Sequence, residues 1–99
     1  MKTWKMRFTP EASRLFSIIH PENKKLVKQA LEELQLNPFT GKDLQEELLE
    51  FKSLRLKKYR VIYAVREENN YIDIYYIGHR SDVYEQFRRL LTELQKADD

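Results

Sequence analysis

The chain has 99 residues, with 18 lysines and arginines against 16 aspartates and glutamates for a net charge of +2. A chain of this length is expected to form one small domain over residues 1–99, burying about two thirds of its unfolded surface around a single compact core. The absence of cysteine excludes a disulfide framework and a thiolate metal site, and two histidines separated by most of the chain leave neither a metal nor another cofactor to expect.

The segment from Met1 to Thr9 lacks the apolar core of a signal peptide. No apolar run approaches the roughly 20 residues of a membrane-spanning helix, so a soluble, cytoplasmic protein is expected. Trp4 to Phe8 reads as a short first strand, and Thr9-Pro10-Glu11 supplies a helix start with proline at the first helical position. Ala12, Leu15, Phe16 and Ile19 fall at helical spacing. His20-Pro21 interrupts them before a second run of Leu26, Val27, Ala30, Leu31 and Leu34, so two amphipathic helices follow one another closely. His20 itself reads as an exposed turn residue. Asn37-Pro38 ends the second helix, and the stretch to Gly41 reads as a loop.

Beyond Phe51 the period changes to two. Leu54 and Leu56 alternate with Ser53, Arg55 and Lys57, and Val61, Tyr63 and Val65 alternate with Arg60, Ile62 and Ala64. Tyr71 to Ile77 is apolar or aromatic on both faces apart from Asp73, as an inner strand would be, and Tyr63, Tyr75 and Tyr76 read as packing residues. Glu67 to Asn70 makes the turn before it, with Asn69 and Asn70 suited to positive φ. Lys57-Lys58 contains no glycine, so a longer or bulged connection is expected there. Ser81 or Asp82 caps a last helix with the apolar stripe Val83, Tyr84, Phe87, Leu90, Leu91 and Leu94. Whether that helix packs on the sheet or awaits a partner is left open. The order is β-α-α-β-β-β-α, an α+β domain.

From Phe51 to Arg66 there is no acidic residue, while Lys52, Arg55, Lys57, Lys58, Arg60 and Arg66 are cationic. Such a surface fits a nucleic-acid backbone, and it equally fits a hairpin edge that uses lysines to discourage pairing with another edge.

Tyr59-Arg60-Val61-Ile62-Tyr63, the ending Ile77-Gly78-His79-Arg80-Ser81-Asp82-Val83-Tyr84 and the order of elements together resemble the RelE/ParE toxin family of bacterial and archaeal toxin-antitoxin systems. The resemblance in organisation spans nearly the whole chain, and its specific residues lie between Ser53 and Tyr84. It implies a small, mostly antiparallel four-stranded sheet packed on an N-terminal helical hairpin, with a concave face for RNA. Its RelE-type members enter the ribosomal A site, cleave messenger RNA and are silenced by an antitoxin that wraps around them, so a RelB-like antitoxin, messenger RNA and the ribosome are the implied partners. Arg60 matches the family's strand arginine, Arg80 the arginine after the glycine, and Tyr84 the tyrosine of the Val-Tyr ending. His79 stands where relatives carry histidine or lysine. A pair of lysines in the best-studied branch is matched here by Phe51 and Ser53, a departure that leaves His79, or Lys52 from a shifted register, to act as base.

Cleavage of RNA by its own 2′-hydroxyl needs a proton acceptor, a proton donor for the leaving oxygen and cations around the phosphate, without a metal. Arg60 and Arg80 suit the phosphate, His79 suits proton transfer, Tyr84 suits a base or a shared proton, and Lys52, Arg55, Lys57 and Lys58 suit the RNA backbone. Each also has a structural reading: His79 donating to Asp82, Arg80 paired with Glu85, Tyr84 in the core. The alternative function is that of the ParE branch, inhibition of DNA gyrase by binding alone.

Overall fold

A computed structural model describes residues 4–79 and 83–97. The elements are β1 (Lys5–Phe8), α1 (Pro10–Ser17), α2 (Pro21–Leu36), β2 (Lys42–Asp43), β3 (Lys52–Leu56), β4 (Tyr59–Arg66), β5 (Tyr71–His79) and α3 (Val83–Ala97), with single 3₁₀ turns at Pro38–Thr40 and Glu46–Leu48. The expected α+β order holds, with one addition: the sheet has five strands in the order β1-β5-β4-β3-β2. The added strand, β2, pairs only Lys42 with Ser53 and Asp43 with Lys52, too short a segment to carry any alternation of its own. Only β1 runs parallel to its neighbour, β5; the other pairs are antiparallel.

Local chemistry explains where the helices begin. Thr9 takes extended backbone and its Oγ1 accepts the Ala12 amide at 3.1 Å, while Pro10 occupies a position whose missing N–H costs nothing. His20 repeats the device, its Nδ1 accepting the Glu22 amide at 3.3 Å ahead of Pro21. It is exposed, as expected, and it also caps α2.

The two faces of the sheet are covered differently. On one, Val61, Tyr63, Ile72, Ile74 and Ile77 pack against Ala12, Val27, Leu31 and Leu34 of the α1–α2 hairpin. On the other, Ile62 and Ala64 meet Phe51, Leu44 and Leu48 of the β2–β3 connection and Val83 and Phe87 of α3. Val83 and Phe87 are fully buried, each side chain contributing on the order of 2 kcal/mol by leaving water, so α3 is docked on the sheet rather than awaiting a partner. Tyr63 pins the loop after α2: its Oη donates to the Pro38 carbonyl at 2.8 Å and accepts the Gly41 amide at 3.0 Å. A Cβ at Gly41 would collide with that phenol oxygen.

Two turns bear on the site. Asn70 takes φ 58°, as expected of the β4–β5 turn. The connection between β3 and β4 is tighter than expected, because Leu56 pairs directly with Tyr59 and leaves a two-residue turn at Lys57-Lys58. Lys57 accommodates it with φ 41°, a left-handed value that costs a non-glycine residue about 1 kcal/mol. β5 also carries a bulge: Tyr63 pairs with Ile74 and Ile62 with Tyr76, so Tyr75 is an extra residue.

Candidate active site

The face under α3 gathers the polar residues of the strand ends. Register places Arg55 opposite Arg60, and Arg60 opposite Gly78, in one row across β3, β4 and β5. Two like charges set directly across a strand pair destabilise the sheet unless an anion lies between them. Arg55 is exposed and Arg60 partly buried.

Tyr84, in the first turn of α3, reaches down to this row. Arg60 Nη1 donates to Tyr84 Oη at 2.9 Å, the guanidinium carbon lies 5.4 Å from the ring centroid, and Tyr84 Oη in turn donates to Ser53 Oγ at 3.2 Å. The phenol is therefore held from two sides, by a cation and by a buried hydroxyl. Arg60 Nε is buried and finds no hydrogen-bond partner among the described residues, which leaves one charged donor unsatisfied beside the site. A groove of about 270 Å³ opens next to Tyr84 between Asp43, Leu44, Gln45, Glu46 and Leu48 and the Arg88 turn of α3, room for a nucleobase.

His79 does not join this group. It pairs with Tyr59, their ring centroids 5.4 Å apart, and Asn23 of α2 donates to Tyr59 Oη at 3.4 Å. Both rings thus lie on the hairpin side of the sheet, opposite Arg60 and Tyr84. Lys52 is also on that side, opposite Tyr63, with Nζ 2.5 Å from Asp43 Oδ1 and 5.8 Å from the Phe39 ring centroid. The regular β3–β4 register provides no shift that would bring Lys52 to Arg60. Phe51 and Ser53 do face the site side. Phe51 is core, edge-on to Tyr75 and Phe87 with centroids 4.9 and 5.0 Å away, and Ser53 is the phenol's acceptor. Lys57 and Lys58 are exposed at the turn between the two faces. Arg80, and with it the expected Ser81 or Asp82 cap and the Asp82 and Arg80 pairings, lies outside the described residues; Glu85 pairs with Arg89 at 3.3 Å.

Ser53 is the site residue that sequence reasoning passed over. Its signal was present: a hydroxyl in phase with Phe51 and Arg55, between a core residue and a cation on one face of β3. Farther along the same face, Asp73 holds Arg7 through two hydrogen bonds of 2.7 and 3.1 Å and Arg66 through one of 3.1 Å. Burial pushes the Asp73 carboxyl up, but the hydrogen bonds and charges of Arg7 and Arg66 outweigh it and hold it below the usual carboxylate range.

Residues 6–84 match the family described as the ParE toxin of the type II toxin-antitoxin system parDE. The chain belongs to the RelE/ParE toxin family. As a RelE/ParE protein it is a toxin of a type II toxin-antitoxin system. Among solved structures it is similar to the RelBE2 toxin-antitoxin complex of Mycobacterium tuberculosis, at 30% identity and TM-score 0.72, covering 79% of this chain and 99% of that one. An Escherichia coli RelE variant with two arginines changed to alanine, in the free state, superposes with TM-score 0.71 at 18% identity over 88% of this chain and 96% of that one. A YoeB/ParE toxin from Agrobacterium tumefaciens gives TM-score 0.69 at 13% identity, covering 77% and 98%. These last two likenesses concern the fold. No curated protein matches the sequence. Among the described residues no helix of this RelE/ParE toxin is long and apolar enough to cross a membrane.

Proposed function

We propose that this toxin is a ribosome-dependent endoribonuclease that cleaves messenger RNA in the A site and so stops translation, with the Arg60–Tyr84 pair as its reacting centre. The observation that carries the reading is the hydrogen bond from Arg60 to Tyr84 beside Arg55, a cation row with a phenol above it. Arg60, Arg55 and, by resemblance, Arg80 hold the scissile phosphate. The RNA 2′-oxygen forms its bond to phosphorus and releases its proton to solvent, the guanidinium groups offset the charge that grows on the phosphoryl oxygens, and the bond to the 5′-oxygen breaks. Tyr84 gives its proton to that departing oxygen, leaving a 2′,3′-cyclic phosphate and a free 5′-hydroxyl.

The second reading, inhibition of DNA gyrase without chemistry, is favoured by two observations: the match to the ParE toxin family, and a centre from which both His79 and Lys52 are turned away. Mapping of 5′ ends in cells after a short pulse of the toxin separates the two. Messenger cuts made by the wild type and lost in Arg60→Ala and Tyr84→Phe support the nuclease. Intact messenger with gyrase-linked DNA breaks supports the inhibitor.

A RelB-like antitoxin is the proposed partner. The solved relatives include complexes of toxin with antitoxin, and the acid-free segment from Phe51 to Arg66 suits an acidic chain that folds on binding. With a ribosomal target the toxin works in the cytoplasm. Co-expression with the antitoxin restores growth; equal growth with and without it would overturn this part of the proposal.

A further inference from the structure

The end of the sheet carries a second ring pair that the Arg60–Tyr84 centre does not use. Tyr59 and His79 face each other across β4 and β5, with planes at 52° and the His79 ring exposed. Asn23 donates to the Tyr59 hydroxyl from the α2 side, so Tyr59 is partly buried and held while His79 is the exposed ring of the pair. Immediately before Tyr59 come Lys57 and Lys58, both exposed. Lys57 keeps a lysine side chain at φ 41°, where glycine would sit without strain. Fold stability does not ask for a lysine there; strain retained at a surface turn is characteristic of contact residues.

We propose that Tyr59 and His79 form a stacking site for an unpaired RNA base, with Lys57 and Lys58 on the adjoining phosphates. A strand held by Arg55 and Arg60 then continues around the two-residue turn onto the opposite face of the sheet. The chemistry is that of single-strand recognition, rings that accept any base beside cations that follow the backbone. In this arrangement His79 binds and does not transfer a proton. The inference rests on the RNA-directed reading of the Arg60–Tyr84 face.

The test is fluorescence anisotropy with a labelled single-stranded RNA of about 12 nucleotides, and with the same RNA made abasic at its central positions. It compares wild type with His79→Ala, His79→Phe, Arg60→Ala and the double variant Lys57→Ala/Lys58→Ala, each checked for an unchanged melting curve. His79→Ala is expected to weaken binding about tenfold and His79→Phe to stay within about twofold of wild type, because a benzene ring stacks but carries no transferable proton. On abasic RNA the difference between wild type and His79→Ala should disappear. The double lysine variant should weaken both RNAs alike.

Equal affinities for wild type and His79→Ala would reduce the rings to a cross-strand packing pair and overturn the inference. Failure of His79→Phe to bind would do the same, by assigning His79 a charge or proton role. So would a His79→Ala variant that loses antitoxin while keeping RNA. Loss of RNA binding in Arg60→Ala but not in His79→Ala would sink this inference alone; a wild-type toxin that binds no RNA would sink the RNA-directed reading with it.

Discussion

Arg60 and Tyr84 lie 24 residues apart in sequence and meet through a 2.9 Å hydrogen bond that joins β4 to the first turn of α3. Tyr84→Phe removes that bond and the one to Ser53 Oγ while keeping the ring. On purified ribosomes the expected result is a loss of about a hundredfold in kcat, the usual size of a lost proton donor, with KM little changed. Ser53→Ala leaves the phenol in place but frees its orientation, so a smaller loss is expected, of the order of tenfold, with Ser53→Thr recovering most of it.

Arg55 stands directly across from Arg60, two like charges in register on neighbouring strands. Arg55→Ala should therefore raise the stability of the isolated toxin by a few tenths of a kcal/mol while weakening RNA binding. Loss of one phosphate contact should also make the slope of log affinity against log salt shallower by about 0.7. Urea denaturation and salt-titrated binding read the two effects separately; a destabilised variant would mean that Arg55 has a structural partner.

Tyr63→Phe strands the buried Pro38 carbonyl and the partly buried Gly41 amide. A loss of about 1 to 3 kcal/mol is expected, read by urea unfolding, with a matching loss for Gly41→Ala through the collision of its methyl with the phenol. The phenol is also pushed above its ordinary pKa by burial, so it should stay protonated when exposed tyrosines ionise in an alkaline spectrophotometric titration.

Acid should unfold the toxin partly through Asp73. Its carboxyl is held below the ordinary range in the folded protein, so the stabilisation is complete above the unfolded-state pKa of about 4 and is lost as pH falls through the lower folded value. Asp73→Asn should flatten the acid limb of stability against pH and lower stability at neutrality, by removing the carboxylate that Arg7 and Arg66 share. An unchanged acid limb would place the sensitivity elsewhere.

Lys57→Gly relieves a left-handed φ at a non-glycine residue. The melting temperature should rise, by roughly 1 kcal/mol of stability at most, since glycine also loosens the unfolded chain.

Periods of two and 3.6 were enough to read the α+β order and the helical hairpin from the sequence, and the inner position of β5 showed in a run that is apolar on both faces. β2 was not legible, since two residues carry no period and its pairing is decided by the turn that Tyr63 anchors. The tight turn at Lys57-Lys58 was missed because local strain argued against it and the cross-strand register overrode that cost. In the site, Arg60 and Tyr84 could be named from the sequence, but neither their direct hydrogen bond nor the acceptance of the phenol by Ser53 could. Ser53 depends on which strand face α3 covers. The grouping of His79 with Arg60 depended on something subtler still, the phase of β5 after Ile74.

That phase is set by Tyr75. Regular pairing carried on from Tyr63 and Ile74 would have brought Ile77 opposite Arg60 and turned His79 toward the same side; the extra residue reverses both. Two toxins can therefore share every letter of this ending and still offer different chemistry to a phosphate, if one strand is bulged and the other is not. Beyond such a kink an aligned column is not a location in space, and a residue's role passes between relatives only with the backbone that aims it.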